Sequence, residues 1–132
     1  MDTVRELFFR YIAAYESGEA EKVAAFLHSA HTYHPPGGGK AMNRAERVAD
    51  ENFFFAAFSK ITASVEDLIV EHDKVAARVA MKCTQTGEYQ GLAASGRSIV
   101  ITYMEIVHFY EGAILEDWAE FDMMSILEQL RG

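Results

Sequence analysis

At 132 residues the chain suits a single domain, 1–132, large enough to bury roughly two-thirds of its unfolded surface and still enclose a pocket. Its 20 acidic residues against 12 basic ones give a formal charge of −8, which repels a phosphate backbone and argues against nucleic acid as a partner. The single cysteine, Cys83, excludes an internal disulfide, and no apolar stretch approaches the ~20 residues of a membrane span, so a cytoplasmic protein with no membrane association is expected.

Asp2 or Thr3 can cap a helix whose apolar positions, Val4, Leu7, Phe8, Tyr11, Ile12 and Tyr15, recur at three- and four-residue steps until Gly18 ends it. That stripe requires a sheet to pack on. A second short helix is expected over 19–27, and Pro35-Pro36 with the three glycines after it forces a loop. Asn43 can cap a third helix running to Lys60, with Val48, Asn52, Phe53, Phe55 and Ala56 along it. From Val75 the period changes to two: Val75, Ala77, Val79, Met81 and Cys83 are apolar, while Arg78, Lys82 and Thr84 face the other way. The apolar, aromatic-rich runs 99–109 and 113–121 flank Glu111-Gly112 as a β-hairpin, and a short helix follows. Helices first and antiparallel strands afterwards indicate an α+β fold, with three N-terminal helices on one face of a curved, mostly antiparallel sheet.

The hairpin loop decides which side chains share a face. A two-residue loop puts Glu111 at positive φ, whereas a three-residue Tyr110-Glu111-Gly112 loop asks this only of Gly112, so the longer loop is expected. Phe109 then pairs with Ala113, which sets Glu105 opposite Asp117 and Tyr103 opposite Ala119 on one face, with Ile106, His108, Trp118 and Glu120 on the other. Directly opposed carboxylates stand within ~5 Å at Cβ and repel unless one is protonated or a cation intervenes. Such a pair supplies a carboxyl with a raised pKa for acid or base work; alternatively both reach solvent, or one pairs with Arg97 or Arg78.

The order Ser95-Gly96-Arg97, a strand, Glu111-Gly112-x-Ile114, Trp118, Asp122 and Leu127-x-Gln129-Leu130 resembles the SnoaL-like polyketide cyclases. These belong to the superfamily shaped like nuclear transport factor 2 and ketosteroid isomerase. The steps Glu16-Ser-Gly-Glu19, Phe26-Leu27-His28 and Glu71-His-Asp-Lys-Val75 extend the resemblance over nearly the whole chain. It implies a cone-shaped α+β barrel closed around a pocket, cofactor-free acid/base chemistry, and a small hydrophobic or aromatic molecule as partner, such as a polycyclic ketone or ester. It also implies a catalytic Asp directly after Trp118, where this chain has Ala119, and a partner His where it has Glu105. Asp122 matches only a later family Asp and is read as the cap of the terminal helix. Glu105 with Asp117 is then the replacement pair, and Tyr15 matches a helix Tyr that contacts substrate in one branch of the family.

His28, His31 and His34 recur at three-residue steps, but Pro35 and Pro36 disfavour the helix that would align them on a metal ion, so no metal is expected. On a strand His31 and His34 point to opposite faces, and His34 or Tyr33 is instead a hydrogen-bonding residue at the pocket rim. Asn52 is either a satisfied core residue or a donor into the pocket. Gly37-Gly38-Gly39-Lys40 lacks the spacing and preceding strand of a phosphate loop. Hydrolysis of an epoxide would need an Asp-Arg-Asp constellation that no spacing here assembles.

The resulting expectation is a cyclase or isomerase with Glu105 as base, Asp117 as its protonated partner and Tyr15 or Tyr103 as donor to an enolate oxygen. Tyr15, Tyr103, His34 and Asn52 are the expected substrate contacts. The rival is a binding module or dimer scaffold without chemistry, which Ala119 favours. A homodimer is expected because the run 99–109 is apolar on both faces and the helices can cover only one.

Overall fold

A computed structural model describes residues 2–132. Thr3 accepts a hydrogen bond from the Glu6 amide and opens helix α1 (Val4–Ala14), whose Phe8, Tyr11 and Ile12 are buried. A 3₁₀ turn carries the chain through Tyr15 to Gly18, which at φ 70° takes the left-handed conformation that ends it. Helix α2 (Ala20–Ala24) is shorter than the expected 19–27, because Leu27 already pairs with Ile114 as the start of strand β1 (Leu27–His34). After the proline pair comes β2 (Met42–Asn43). Asn43 then caps α3 (Arg44–Ala57) in a reciprocal capping box with Glu46.

Helix α3 stops short of Lys60. Phe58 is already extended and opens β3 (Phe58–Glu71), and Lys60, at φ 53°, sits in an irregularity between the Ser59 and Thr62 pairs. Strands β4 (Lys74–Gln85), β5 (Ser98–Tyr110) and β6 (Ala113–Phe121) follow, and Asp122 caps α4 (Met123–Arg131) by accepting from the Met124 and Ser125 amides. The cap role read from sequence for Asp122 is the one observed.

The strand order is β2-β1-β6-β5-β4-β3, antiparallel throughout except where β1 runs parallel to β6. Helices α1 and α3 pack on the concave face of this curved sheet, giving the expected α+β cone. Among the described residues its edges, β2 and β3, do not pair with each other, so the cone stays open between them.

The hairpin differs from the expected one. Tyr110 pairs with Ala113 across a two-residue loop in which Glu111 and Gly112 both have positive φ, 52° and 79°. A tight loop of this hand matches the right-handed twist of the strands, and that match outweighs the strain at Glu111. Leu115 is then bulged out between the Phe109–Ile114 and His108–Glu116 pairs. The net effect is a two-residue slide of β6, which leaves every side chain beyond the bulge on its expected face. Glu105 therefore opposes Ala119, Tyr103 opposes Phe121, and Asp117 opposes Val107. Glu105 and Asp117 share the concave face as diagonal neighbours rather than as a directly opposed pair.

Candidate active site

A cavity of about 630 Å³ lies between α3, the concave faces of β5 and β6, and the loop that follows β4. Tyr15, Tyr33, Met81, Tyr103, Glu105 and Phe121 are among the residues that line it. Its wall mixes aromatic and aliphatic side chains with the polar groups of Arg47, Asp50, Glu51 and Glu105. The loop is a fixed wall: the buried Gln85 side chain donates to the carbonyls of Gly87 and Leu92 and accepts from the Ser95 amide.

Set into the wall is a buried charge network centred on Arg47. Arg47 and Glu51 stand four residues apart on the inward stripe of α3, and both are buried. Arg47 Nε donates to Glu51 Oε1 at 2.9 Å, Nη1 to the two Asp117 oxygens at 3.2 and 3.1 Å, and Nη2 to the Tyr11 and Tyr15 hydroxyls at 2.8 and 3.2 Å. Tyr15 in turn donates to Glu51 at 2.8 Å, and the guanidinium carbon lies 3.9 Å above the Tyr33 ring centroid. Arginine's fixed fork of donors is what lets one buried cation satisfy two carboxylates and two phenols at once. Burial drives the Tyr11 and Tyr15 hydroxyls well above the ordinary tyrosine range, with Arg47 opposing.

His31, on β1, closes the network from below. Its Nδ1 lies 3.0 Å from the Ile114 carbonyl, which can only accept, so Nδ1 carries a proton. Nε2 is 3.2 Å from Asp117 Oδ1 but is not aligned for a hydrogen bond.

Glu105 differs from the other carboxylates. It is 5% exposed and faces the cavity, and its Oε1 has no partner. Burial, then the charge of Asp117, pushes its carboxyl up to about 8; Arg47 opposes and Glu51 adds to the rise. At neutral pH it is mainly a neutral acid, in the range where one carboxyl can both donate and accept a proton. Tyr103, held protonated by burial and the nearby Glu105 charge, lines the same wall.

The structure thus brings Glu105, Tyr15 and Tyr103 together at the cavity. Asp117 is on the expected face but fully buried behind the wall, in an ion pair with Arg47, and does not line the cavity as expected of it. His34 lies outside. Alternation along β1 turns Tyr33 to the cavity and His34 to the convex face, where it stacks on Trp118 at 4.8 Å and bonds to Glu116 at 2.6 Å. Asn52 is exposed, because the inward stripe of α3 runs through Arg47, Glu51 and Phe54 instead.

Sequence reasoning missed Arg47 and Glu51, placed Tyr11 only on a core stripe and weighed His31 only as a metal ligand. The one signal for Arg47 and Glu51 was an oppositely charged pair at i, i+4 on the stripe that continues to Phe54 and Phe58. The Asp-Arg-Asp set that epoxide hydrolysis would need is not what forms; the related arrangement here is Glu51–Arg47–Asp117.

Comparison with known proteins supports the fold and gives the family. A search of curated protein sequences finds no match. Among solved structures, IdmH of Streptomyces antibioticus, described as a proposed polyketide cyclase, superimposes with a TM-score of 0.86 at 24% identity, over 99% of this chain and 100% of that one. TsrD of Streptomyces laurentii gives 0.81 at 25% identity over 98% and 97%. A Catenulispora acidiphila protein of ketosteroid isomerase-like fold, solved with trimethylamine, gives 0.80 at 14% identity over 98% and 95%. Residues 5–130 match the family described as SnoaL-like polyketide cyclase, and it is to this family that the chain belongs.

Proposed function

We propose that the chain is a cofactor-free cyclase or isomerase acting on an aromatic or polycyclic ketone or ester. The observation that carries the reading is Glu105, a buried carboxyl with a free oxygen in the cavity wall and a pKa near working pH. In its carboxylate form Glu105 takes the proton from the carbon next to a substrate carbonyl, and Tyr103 donates a hydrogen bond to the enolate oxygen. The enolate carbon then attacks a second carbonyl of the same molecule, and Glu105 returns the proton to the new alkoxide. Asp117 acts through its charge, raising the pKa of Glu105, while Arg47 fixes Asp117 in place. Tyr15, committed to Glu51 and Arg47, shapes the wall.

The test is carbon-bound deuterium exchange on β-tetralone in heavy water, followed by proton NMR. The protein is expected to accelerate exchange, with a rate that rises with pH and levels off at about 8 as Glu105 ionises. Binding of the ketone with no acceleration at any pH would favour the second reading, a binding module. Ala119, placed opposite Glu105 where the family's acid is expected, is the observation that supports that alternative.

The partner is proposed to include a second copy of the chain. On the convex face Ile69, Met104, Ile106 and Trp118 are 67%, 61%, 48% and 37% exposed, a contiguous apolar patch of the kind that marks an interface. Light scattering at high micromolar concentration is expected to give the mass of a dimer, and Ile106→Lys to return it to a monomer. A wild-type monomer under those conditions would refute this.

A further inference from the structure

The charges that line the cavity are unbalanced. Arg47 is the only cation among the described lining residues, and its donors are spent on Glu51, Asp117, Tyr11 and Tyr15. Against it stand Glu51 within the wall and two carboxylates at the mouth, Asp50 on α3 and Glu88 on the loop after β4. Neither Asp50 nor Glu88 makes an ion pair or side-chain hydrogen bond among the described residues. Burial raises the Asp50 carboxyl above its ordinary range, and the Arg47 charge opposes this, so Asp50 is a partly desolvated acid with no cation of its own. The aromatic rings of Phe54 and Tyr89 also line this cavity, and ring faces attract cations.

At the inner end the requirement is different. Glu105 Oε1 is buried and without a partner, so it calls for a polar atom of the ligand rather than for a charge. An anionic ligand would meet the Asp50 and Glu88 carboxylates at the mouth and no uncommitted cation in the wall.

From this arrangement we infer that the natural ligand is an aromatic cation: an oxygen function meets Glu105 at depth, and an ammonium group sits at the mouth beside Asp50 and Glu88. The inference rests on the reading of this cavity as the ligand site and narrows the class of ligand it takes. The amine must be installed before the ligand arrives, so an amination or an amine-bearing starter precedes this step.

The test uses three naphthol probes that differ in one substituent, aminomethyl, hydroxymethyl or carboxylate, titrated calorimetrically into the intact protein at low ionic strength. The aminomethyl compound is expected to bind about tenfold more tightly than the hydroxymethyl one, and the carboxylate more weakly than either. In the double variant Asp50→Asn, Glu88→Gln the ratio of amine to alcohol affinity should fall to within about twofold, and added salt should shrink the same ratio in the wild-type protein. The salt series needs no variant to fold. A carboxylate that binds as well as the alcohol, or an amine preference that survives both substitutions, overturns the inference. If the three bind equally while β-tetralone still exchanges, only the ligand class is wrong; if none binds, the reading of the cavity fails with it.

Discussion

Replacing Glu105 with glutamine is expected to make the protein more stable above pH 8 while removing its chemistry. The folded protein keeps the Glu105 proton up to about 8, whereas an ordinary glutamate in the unfolded chain releases it near 4.5. Between those values the native state holds the extra proton, so stability falls as pH rises from 4.5, and the loss is complete above 8. The cost of ionising this buried group is on the order of 3 to 5 kcal/mol. Glutamine has no proton to lose. Thermal melts of the two proteins should therefore nearly coincide at pH 4.5 and separate by roughly 10 °C at pH 9, with the variant higher. Exchange of β-tetralone should fall by about 10²- to 10⁴-fold in the same variant. A variant that melts lower at pH 9 would mean that Glu105 is ionised and paired in the native protein.

Arg47→Met should be the most damaging single change in the network. The substitution keeps much of the side-chain length but leaves Asp117 and Glu51 buried without their cation, and it leaves the Tyr11 hydroxyl only its contact with the Tyr15 hydroxyl. Breaking a buried ion pair from one side typically costs about 3–5 kcal/mol, because a charge is stranded away from water. A urea midpoint shift of that size is expected. Adding Asp117→Asn and Glu51→Gln should recover much of it, since neutral amides strand no charge. A single variant that costs less than about 1 kcal/mol would show that water reaches these carboxylates.

The faces of the sheet were readable from sequence because side-chain alternation survives a two-residue slide. The register was not. A Leu115 bulge carries no composition signal in an apolar run, and the strain of Glu111 at positive φ weighs less than the twist of the hairpin that contains it. Tyr15, Tyr103 and Glu105 could be placed because each sits on a strongly periodic element. The orientation of β1 was harder, since three histidines among Ser29, Ala30 and Thr32 give no apolar alternation to tell Tyr33 from His34. Helix α3 misled for a related reason: Val48, Phe55 and Ala56 define an apolar arc, and Arg47 and Glu51 look like its solvated edge. Only their partners on α1 and β6 make burial affordable, and those partners lie far away in sequence.

That separation bears on how the chain folds. Four of the five strand pairings join neighbours in the chain, and each can form with little loop closure. The parallel pairing of β1 with β6 is the exception, and the contact from His31 to the Ile114 carbonyl closes 83 residues. Closure over such a distance loses chain entropy before any contact repays it, so β1 is expected to dock last, onto a meander of β3 to β6 that is already formed. Until then Asp117 lacks His31, and Tyr33 is not yet beneath Arg47. A nascent chain still short of β6 can therefore hold most of its helices and three of its strands and yet have no working cavity.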